Sequence, residues 1–151
     1  MITVREGSLQ EVEQIVATIT EFVRKETVDT LYARLDGKRS LVLVAEEDGY
    51  LLGFKIGYQL DNETFYSWFG GVSPQARKRG VAQILMDWQE RWVGEQGYHQ
   101  LKVKSRNQFP SMLRLLLRNG YQIEDFERVD PLVESRIHFC KRIQSEPAQA
   151  N

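Results

Sequence analysis

The chain has 151 residues, 20 Lys and Arg against 21 Asp and Glu, a formal net charge of −1 and a single cysteine, Cys140. A charge this close to zero argues against broad electrostatic binding to nucleic acid, which needs a basic face. One cysteine rules out an intramolecular disulfide and a secreted disulfide scaffold, and the length suits one domain with a buried core.

No apolar run approaches the ~18 residues a membrane span needs. The opening MITVREGSLQ lacks the hydrophobic core of a signal peptide. A cytoplasmic protein with no membrane partner is expected. Residues 2–5 alternate apolar and polar and predict a first strand. Ser8-Leu9-Gln10-Glu11 is a capping box, in which the serine accepts from a free N–H and the glutamate reaches back. Val12, Ile15, Val16, Ile19 and Phe22 or Val23 follow at helical spacing and predict one buried face. A second helix is predicted over residues 30–35, with Asp29 as N-cap and Gly37 as its stop. Residues 41–45 are continuously apolar, as in a strand buried on both faces. Asp48-Gly49 is a hairpin turn signal, and residues 51–58 return as the next strand. Asp61-Asn62 is another turn, and residues 64–72 complete a meander.

A basic, glycine-bearing turn then leads into a helix: VSPQARKRGVAQILM, residues 72–86. A strand that continues through such a turn into a helix presents free N–H groups at the helix start. With a dipole worth roughly half a positive charge, these form a seat for phosphate. Gly80 allows close backbone approach, Ala82 keeps that approach open, and Arg77, Lys78 and Arg79 add full charges. Val81, Ile84, Leu85, Trp88 and Trp92 mark one face of the helix, which Gly94 and Gly97 end. Residues 101–103 predict a strand. Pro110 suits the first turn of a last helix, with Met112, Leu113, Leu116 and Leu117 as its apolar face and Gly120 as its cap. Residues 121–129 and 135–143 read as two closing strands. The domain is expected to span residues 1–143, with 144–151 a disordered polar tail. The element order is β-α-α-β-β-β-α-β-α-β-β, a mixed α+β chain.

The turn resembles the pyrophosphate-binding motif of the GNAT superfamily of acyl-CoA-dependent N-acyltransferases: Arg or Gln, two residues, Gly, one residue, Gly or Ala. Arg77, Gly80 and Ala82 fill it. The element order is similar to the GNAT fold over about residues 2–143. EEDGYLLGF resembles the family's hairpin between the second and third strands, and LKVKSRNQFPSMLRLLLRNGYQI its second cofactor region. The resemblance implies a central, mostly antiparallel twisted sheet flanked by helices, with acetyl-CoA as acyl donor and no metal. The acceptor it implies is a primary amine on a small molecule or a protein, attacking directly in a ternary complex. The pantetheine arm would lie along Gly70, Gly71, Val72 and Ser73, where the fourth strand splays from the fifth. The diphosphate would sit on the N–H groups of Arg77, Lys78, Arg79, Gly80, Val81 and Ala82. Asn107 resembles the family asparagine that bonds the cofactor arm. Members are often dimers, and the aromatic closing strands would permit a homodimer.

One position departs from the pattern. Many members carry a tyrosine acid four residues before the glycine of a Gly-Phe or Gly-Tyr pair; here that position is Leu116. Either the thiolate leaves without it, which its acidity tolerates, or water or another side chain serves, or the chain is a non-catalytic acyl-CoA-binding module. The base is equally open. Glu63, at the start of the fourth strand, and Tyr66, within it, are the candidates, set against their ordinary readings as a solvated turn residue and sheet packing. His138 and Cys140 read as structural, and nothing has metal-ligand spacing. The segment that shapes acceptor choice, residues 24–38, mixes Arg24, Lys25, Arg34 and Lys38 with Glu26, Asp29 and Asp36 and selects no substrate.

Overall fold

Turn chemistry and alternation build the first three strands of the computed structural model, which describes residues 1–22 and 24–144. β1 (Thr3–Glu6) pairs antiparallel with β2 (Ser40–Glu47), and β2 with β3 (Tyr50–Asp61). Asp48 and Gly49, at φ 52° and 83°, make the left-handed turn between β2 and β3 that matches strand twist. Before β4 (Thr64–Val72), Asp61 Oδ1 accepts from the Glu63 N–H at 2.9 Å, closing an Asx turn.

The capping box forms as expected at the start of α1 (Leu9–Val16). Ser8 Oγ accepts from Glu11 N at 3.1 Å and Glu11 Oε1 accepts from Ser8 N at 2.9 Å. Arg5 ties the same carboxylate, at 2.6 Å, to Glu46, at 2.7 Å. The Arg5 guanidinium, and then the Ser8 N–H, hold the Glu11 carboxyl down to about 2. The helix is shorter than its apolar spacing predicted. Val16, Thr18, Ile19 and Thr20 are β-branched and poor helix formers. Thr18 Oγ1 donates to Ile15 O at 2.7 Å, and the chain tightens into i→i+3 bonds, Thr18 N to Ile15 O and Ile19 N to Val16 O, both 3.0 Å. Ile19 is still buried, from a turn instead of a helix; Val23 lies outside the described residues.

α2 (Val28–Leu35) is capped by Thr27, not by Asp29. Thr27 N donates to Thr30 Oγ1 at 2.8 Å and Thr30 N to Thr27 Oγ1 at 3.3 Å, a reciprocal pair that satisfies two end groups where one aspartate satisfies one. Asp29 falls in the first turn, where the dipole favours it. α3 (Val81–Glu95) runs through Gly94 and stops at Gly97. Gly94 is small for packing: a Cβ there would lie 3.2 Å from the Gln144 carbonyl oxygen. The buried face of α3 is Val81, Leu85, Met86, Gln89 and Val93, whereas Ile84, Trp88 and Trp92 are half-buried at its edge.

β5 (Gln100–Arg106), α4 (Pro110–Arg118), β6 (Gln122–Glu127) and β7 (Arg136–Arg142) complete the described elements. Leu115 and Leu116 are the buried side chains of α4, Met112 and Leu113 are half-buried and Leu117 is exposed. At 100° per residue, Leu117 is turned well away from the stripe formed by positions 112, 115 and 116. Hydrogen-bonded neighbours in the sheet run β1-β2-β3-β4-β5-β7-β6. The β5–β7 and β6–β7 pairs are antiparallel and β4–β5 is parallel.

The chain forms two units, Met1–Gln59 with Trp68–Arg91, and Leu60–Ser67 with the residues from Trp92 onward. The first has its core in Val12, Ile15, Leu31, Leu41, Leu43, Phe54, Ile56, Leu85 and Met86. The second has its core in Phe65, Tyr98, Leu101, Leu116 and Phe139, with Phe65 between Trp92 and Tyr98 at 5.3 and 5.2 Å between ring centres. The tail expected at 144–151 lies, apart from Gln144, outside the described residues.

Candidate functional site

In the first unit, the end of β4 departs from a regular strand. Successive strand side chains ordinarily point to opposite faces. Trp68 and Phe69 instead join one aromatic cluster: Trp68 lies 6.2 Å from Tyr58, and Phe69 lies 4.9 Å from Phe54 and 5.3 Å from Phe22. Such an irregularity turns backbone groups out of the ladder and is common beside ligand sites. The parallel ladder with β5 runs from Thr64↔Gln100 to Ser67↔Val103, whereas β4 itself continues to Val72.

Gly70 and Gly71 follow directly. A Cβ on Gly71 would meet Ile19 Cδ1 at 2.8 Å, Phe54 Cε1 at 3.1 Å and Phe22 Cζ at 3.2 Å, so the glycine is required by packing on that side. A Cβ on Gly70 would meet the Phe54 carbonyl oxygen at 3.3 Å. Val72 is half-buried. Ser73 is buried and its N–H donates to Leu52 O at 2.9 Å.

A single 3-10 turn, Pro74–Ala76, carries the chain to the basic segment. Lys78 and Gly80 are both left-handed, at φ 65° and 79°, and bracket Arg79. Such turns direct successive N–H groups into one concavity. The Gly80 carbonyl accepts the first helical bond, from Ile84 N at 3.1 Å, so Gly80 stands at the N-cap of α3. It has no side chain to cap the helix, and the N–H groups of the first turn lie outside the intrahelical ladder. No atom lies within 4 Å of a Cβ built at Gly80, which leaves the approach to these N–H groups open.

Two of the three cations are held by carboxylates. Arg77 makes a two-pronged pair with Glu21, at 2.7 and 3.0 Å, and Arg77 holds the Glu21 carboxyl down to about 2. Arg79 pairs with Glu47, which also meets the N-terminal ammonium at 3.1 Å. These glutamates lie 56 and 32 residues away in the chain, and no local sequence signal announces them. Lys78 is exposed and, among the described residues, forms no ion pair.

The remaining candidates belong to the second unit. Asn107 N donates to Ser135 O at 3.0 Å and its Nδ2 donates to Leu132 O at 3.1 Å, so the side chain braces its own loop. Glu63 is exposed, and its carbonyl accepts from His99 N and Gln100 N at 2.8 and 3.0 Å. Tyr66 is half-buried, with the Lys104 ammonium 5.9 Å from its ring centre. Leu116 is 1 % exposed and offers no proton. His138 Nε2 lies 3.1 Å from Glu127 Oε1. Burial pushes the Cys140 thiol up, which disfavours the nucleophilic thiolate. Among the described residues, no three His, Cys, Asp or Glu side chains gather to hold a metal.

The model of the acetyltransferase (GNAT) family matches residues 9–121. No curated protein matches the chain in sequence. Among solved structures, the ribosomal-protein-S18-alanine N-acetyltransferase from Escherichia coli superposes with a TM-score of 0.83 at 16 % identity, over 100 % of this chain and 99 % of that one. A GNAT family acetyltransferase from Elizabethkingia anophelis with acetyl-CoA bound gives 0.76 at 14 % identity, over 93 % and 97 %. Arabidopsis thaliana NAA60 in complex with a bisubstrate analogue gives 0.75 at 18 % identity, over 97 % and 100 %. These likenesses carry the fold, and the family match, which spans well over half of the chain, carries the membership: the chain belongs to the acetyltransferase (GNAT) family, whose acyltransferases draw their acetyl group from acetyl-CoA.

Proposed function

We propose that the protein moves the acetyl group of acetyl-CoA to a primary amine by direct attack in a ternary complex. The observation that carries this reading is the start of α3, with Gly80, which has no side chain of its own, at its N-cap inside a left-handed, cationic turn. The N–H groups from Arg77 to Ala82 take the diphosphate, with Lys78 as the readily available charge. Arg77 and Arg79 are reached by displacing Glu21 and Glu47, an exchange of one anion for another. The backbone of Gly70, Gly71, Val72 and Ser73 takes the pantetheine arm. Support comes from the end of β4 within the first unit, where the neighbours Trp68 and Phe69 both enter one aromatic cluster just before this stretch. Asn107 contributes only if its amide leaves Leu132 O.

When bound, acetyl-CoA supplies an activated thioester. The protein holds the amine beside it, and positioning contributes much of the rate. The amine must be neutral to attack, and Glu63 and Tyr66 are the candidates to take its proton, directly or through water. With Leu116 in place of a tyrosine, the thiolate leaves without that acid, at the expense of some rate. The domain is taken as residues 1–143, in a cytoplasmic protein in keeping with its free cysteine. The exposed edge strand β6, with Ile123 and Phe126 outward, is the face offered to a second copy.

A second reading, acyl-CoA binding without transfer, is favoured by one observation, the buried apolar Leu116. Thiol release from acetyl-CoA over a panel of primary amines separates the two. Stoichiometric acetylated amine and free thiol are expected; tight acetyl-CoA binding with no amine-dependent thiol release would leave only the binding module.

A further inference from the structure

The charges of residues 24–38, mixed in sequence, are sorted by the fold. Lys25 is turned back onto the end of α1 and the turn beyond it, with Val16 O at 3.2 Å and Ile19 O as acceptors. The Lys38 ammonium donates to Arg34 O at 2.7 Å and lies over the Tyr58 ring. Asp29 faces solvent in the first turn of α2, and Asp36 lines a different depression, beside Leu9 and Tyr32. What remains is a cleft of about 370 Å³ lined by Arg24, Glu26, Thr30, Ala33, Arg34 and Trp68, within the size range of small-molecule sites.

Its one acidic and two basic side chains are not equally available. Glu26 Oε1 already accepts from Thr30 Oγ1 at 2.7 Å. Among the described residues, no carboxylate pairs with Arg24 or Arg34. Arg34 is also set in place: its guanidinium carbon lies 4.7 Å from the Trp68 ring centre, and Nη1 donates to the Tyr58 hydroxyl at 3.1 Å. A guanidinium already placed over an indole loses little freedom when it takes a carboxylate on its remaining N–H groups. Trp68, the wall of the cleft, stands two residues before Gly70 on β4, so a molecule in the cleft is next to the strand assigned above to the pantetheine arm.

We infer that the acceptor is a small primary amine that also carries a carboxylate, an amino acid or a close analogue, with its carboxylate on Arg34 and Arg24. The inference rests on the transferase reading and names its substrate class. A polycationic acceptor, such as a polyamine or an aminoglycoside-like amine, meets a cleft of its own sign and is disfavoured. The reaction needs no further reactant: the new C–N bond replaces the C–S bond, and the proton the amine gives up leaves with the CoA thiol.

The test uses the whole chain at saturating acetyl-CoA, with acetyl-CoA affinity measured by calorimetry in the same samples. Thiol release is followed for neutral amino acids, for their α-amides, and for the amines left when the carboxylate is removed. The acids are expected to show kcat/KM at least about tenfold above both partners. Arg34→Gln should abolish that preference with acetyl-CoA affinity unchanged, and Arg34→Lys should keep part of it; melting temperatures confirm that both exposed-site variants are folded. Amides or amines used as well as the acids would overturn the inference and leave the transferase standing. Acetyl-CoA binding with no turnover of any acid would overturn it as well. Failure of acetyl-CoA to bind would take the transferase reading down with it.

Discussion

Lys55 carries the clearest charge penalty in the first unit. It lies half-buried on β3, with its Cγ 3.7 Å from the position a Cβ would take on Gly70. Burial pushes its ammonium down to about 8, and the attraction of Glu90 only partly offsets this. The folded pKa is then below the unfolded one. Between pH 8 and the ordinary lysine value of 10.5 the unfolded chain binds more protons, so this residue makes stability rise with pH across that window. Lys55→Met is predicted to raise stability at pH 7 by on the order of 1 kcal/mol and to flatten the rise between pH 8 and 10.5 relative to the parent. Urea denaturation at several pH values measures both. A less stable variant at pH 7 would mean that the ammonium has a partner worth more than its desolvation. The two arginines of the basic turn pose the opposite case: Arg77 and Arg79 are exposed, and each is held by a glutamate. Exposed pairs of this kind contribute little to stability, so surrendering them to a phosphate costs little.

At the scale of the element, α3 combines an open N-terminus with a buried face that has one flaw. Gln89 is fully buried among Leu85, Met86 and Val93 on that face, and neither atom of its amide finds a partner among the described residues. An unsatisfied buried amide costs about 1–3 kcal/mol. Gln89→Met keeps the unbranched shape and removes the polar atoms. It is predicted to stabilise the protein by about 1 kcal/mol, seen as a higher urea midpoint with an unchanged slope. A lower midpoint would show that the amide is satisfied in solution. The early end of α1 has the reverse logic. Its apolar spacing continues to Ile19, and the burial it encodes is achieved, but the β-branched run cannot hold a helix and delivers Ile19 from a turn.

For the molecule as a whole, what was legible in the sequence is what is local. The capping box at Ser8, the Asp48-Gly49 turn, the bounds of β4 and the glycine at the start of α3 depend on neighbours a few residues apart, and each appears where expected. Periodicity placed strands and helices but missed register and facing: it gave α3 its Trp88 edge in place of its Gln89 face, and α4 its Leu117 in place of Leu115. Pairings across long separations left no trace at all. Nothing around Arg77 foretells Glu21, nothing around Trp68 foretells Arg34, and the parallel ladder between β4 and β5 cannot be read from either strand. The glycine-bearing basic turn before α3 was therefore legible, and the cleft beside Trp68 was not.

The central claim is that the start of α3 seats the diphosphate of acetyl-CoA, and calorimetric titration of acetyl-CoA into the parent, Gly80→Ala and Gly80→Glu tests it most directly. Both variants carry the same left-handed strain at φ 79°, about 1–2 kcal/mol, and neither side chain meets a neighbour within 4 Å of its Cβ. The alanine thus isolates strain from charge. One micromolar site is predicted in the parent, a modest loss in Gly80→Ala, and a loss of at least about 100-fold in Gly80→Glu at the same melting temperature as the alanine variant. No binding by the parent, or parental affinity in a folded Gly80→Glu, would contradict the claim.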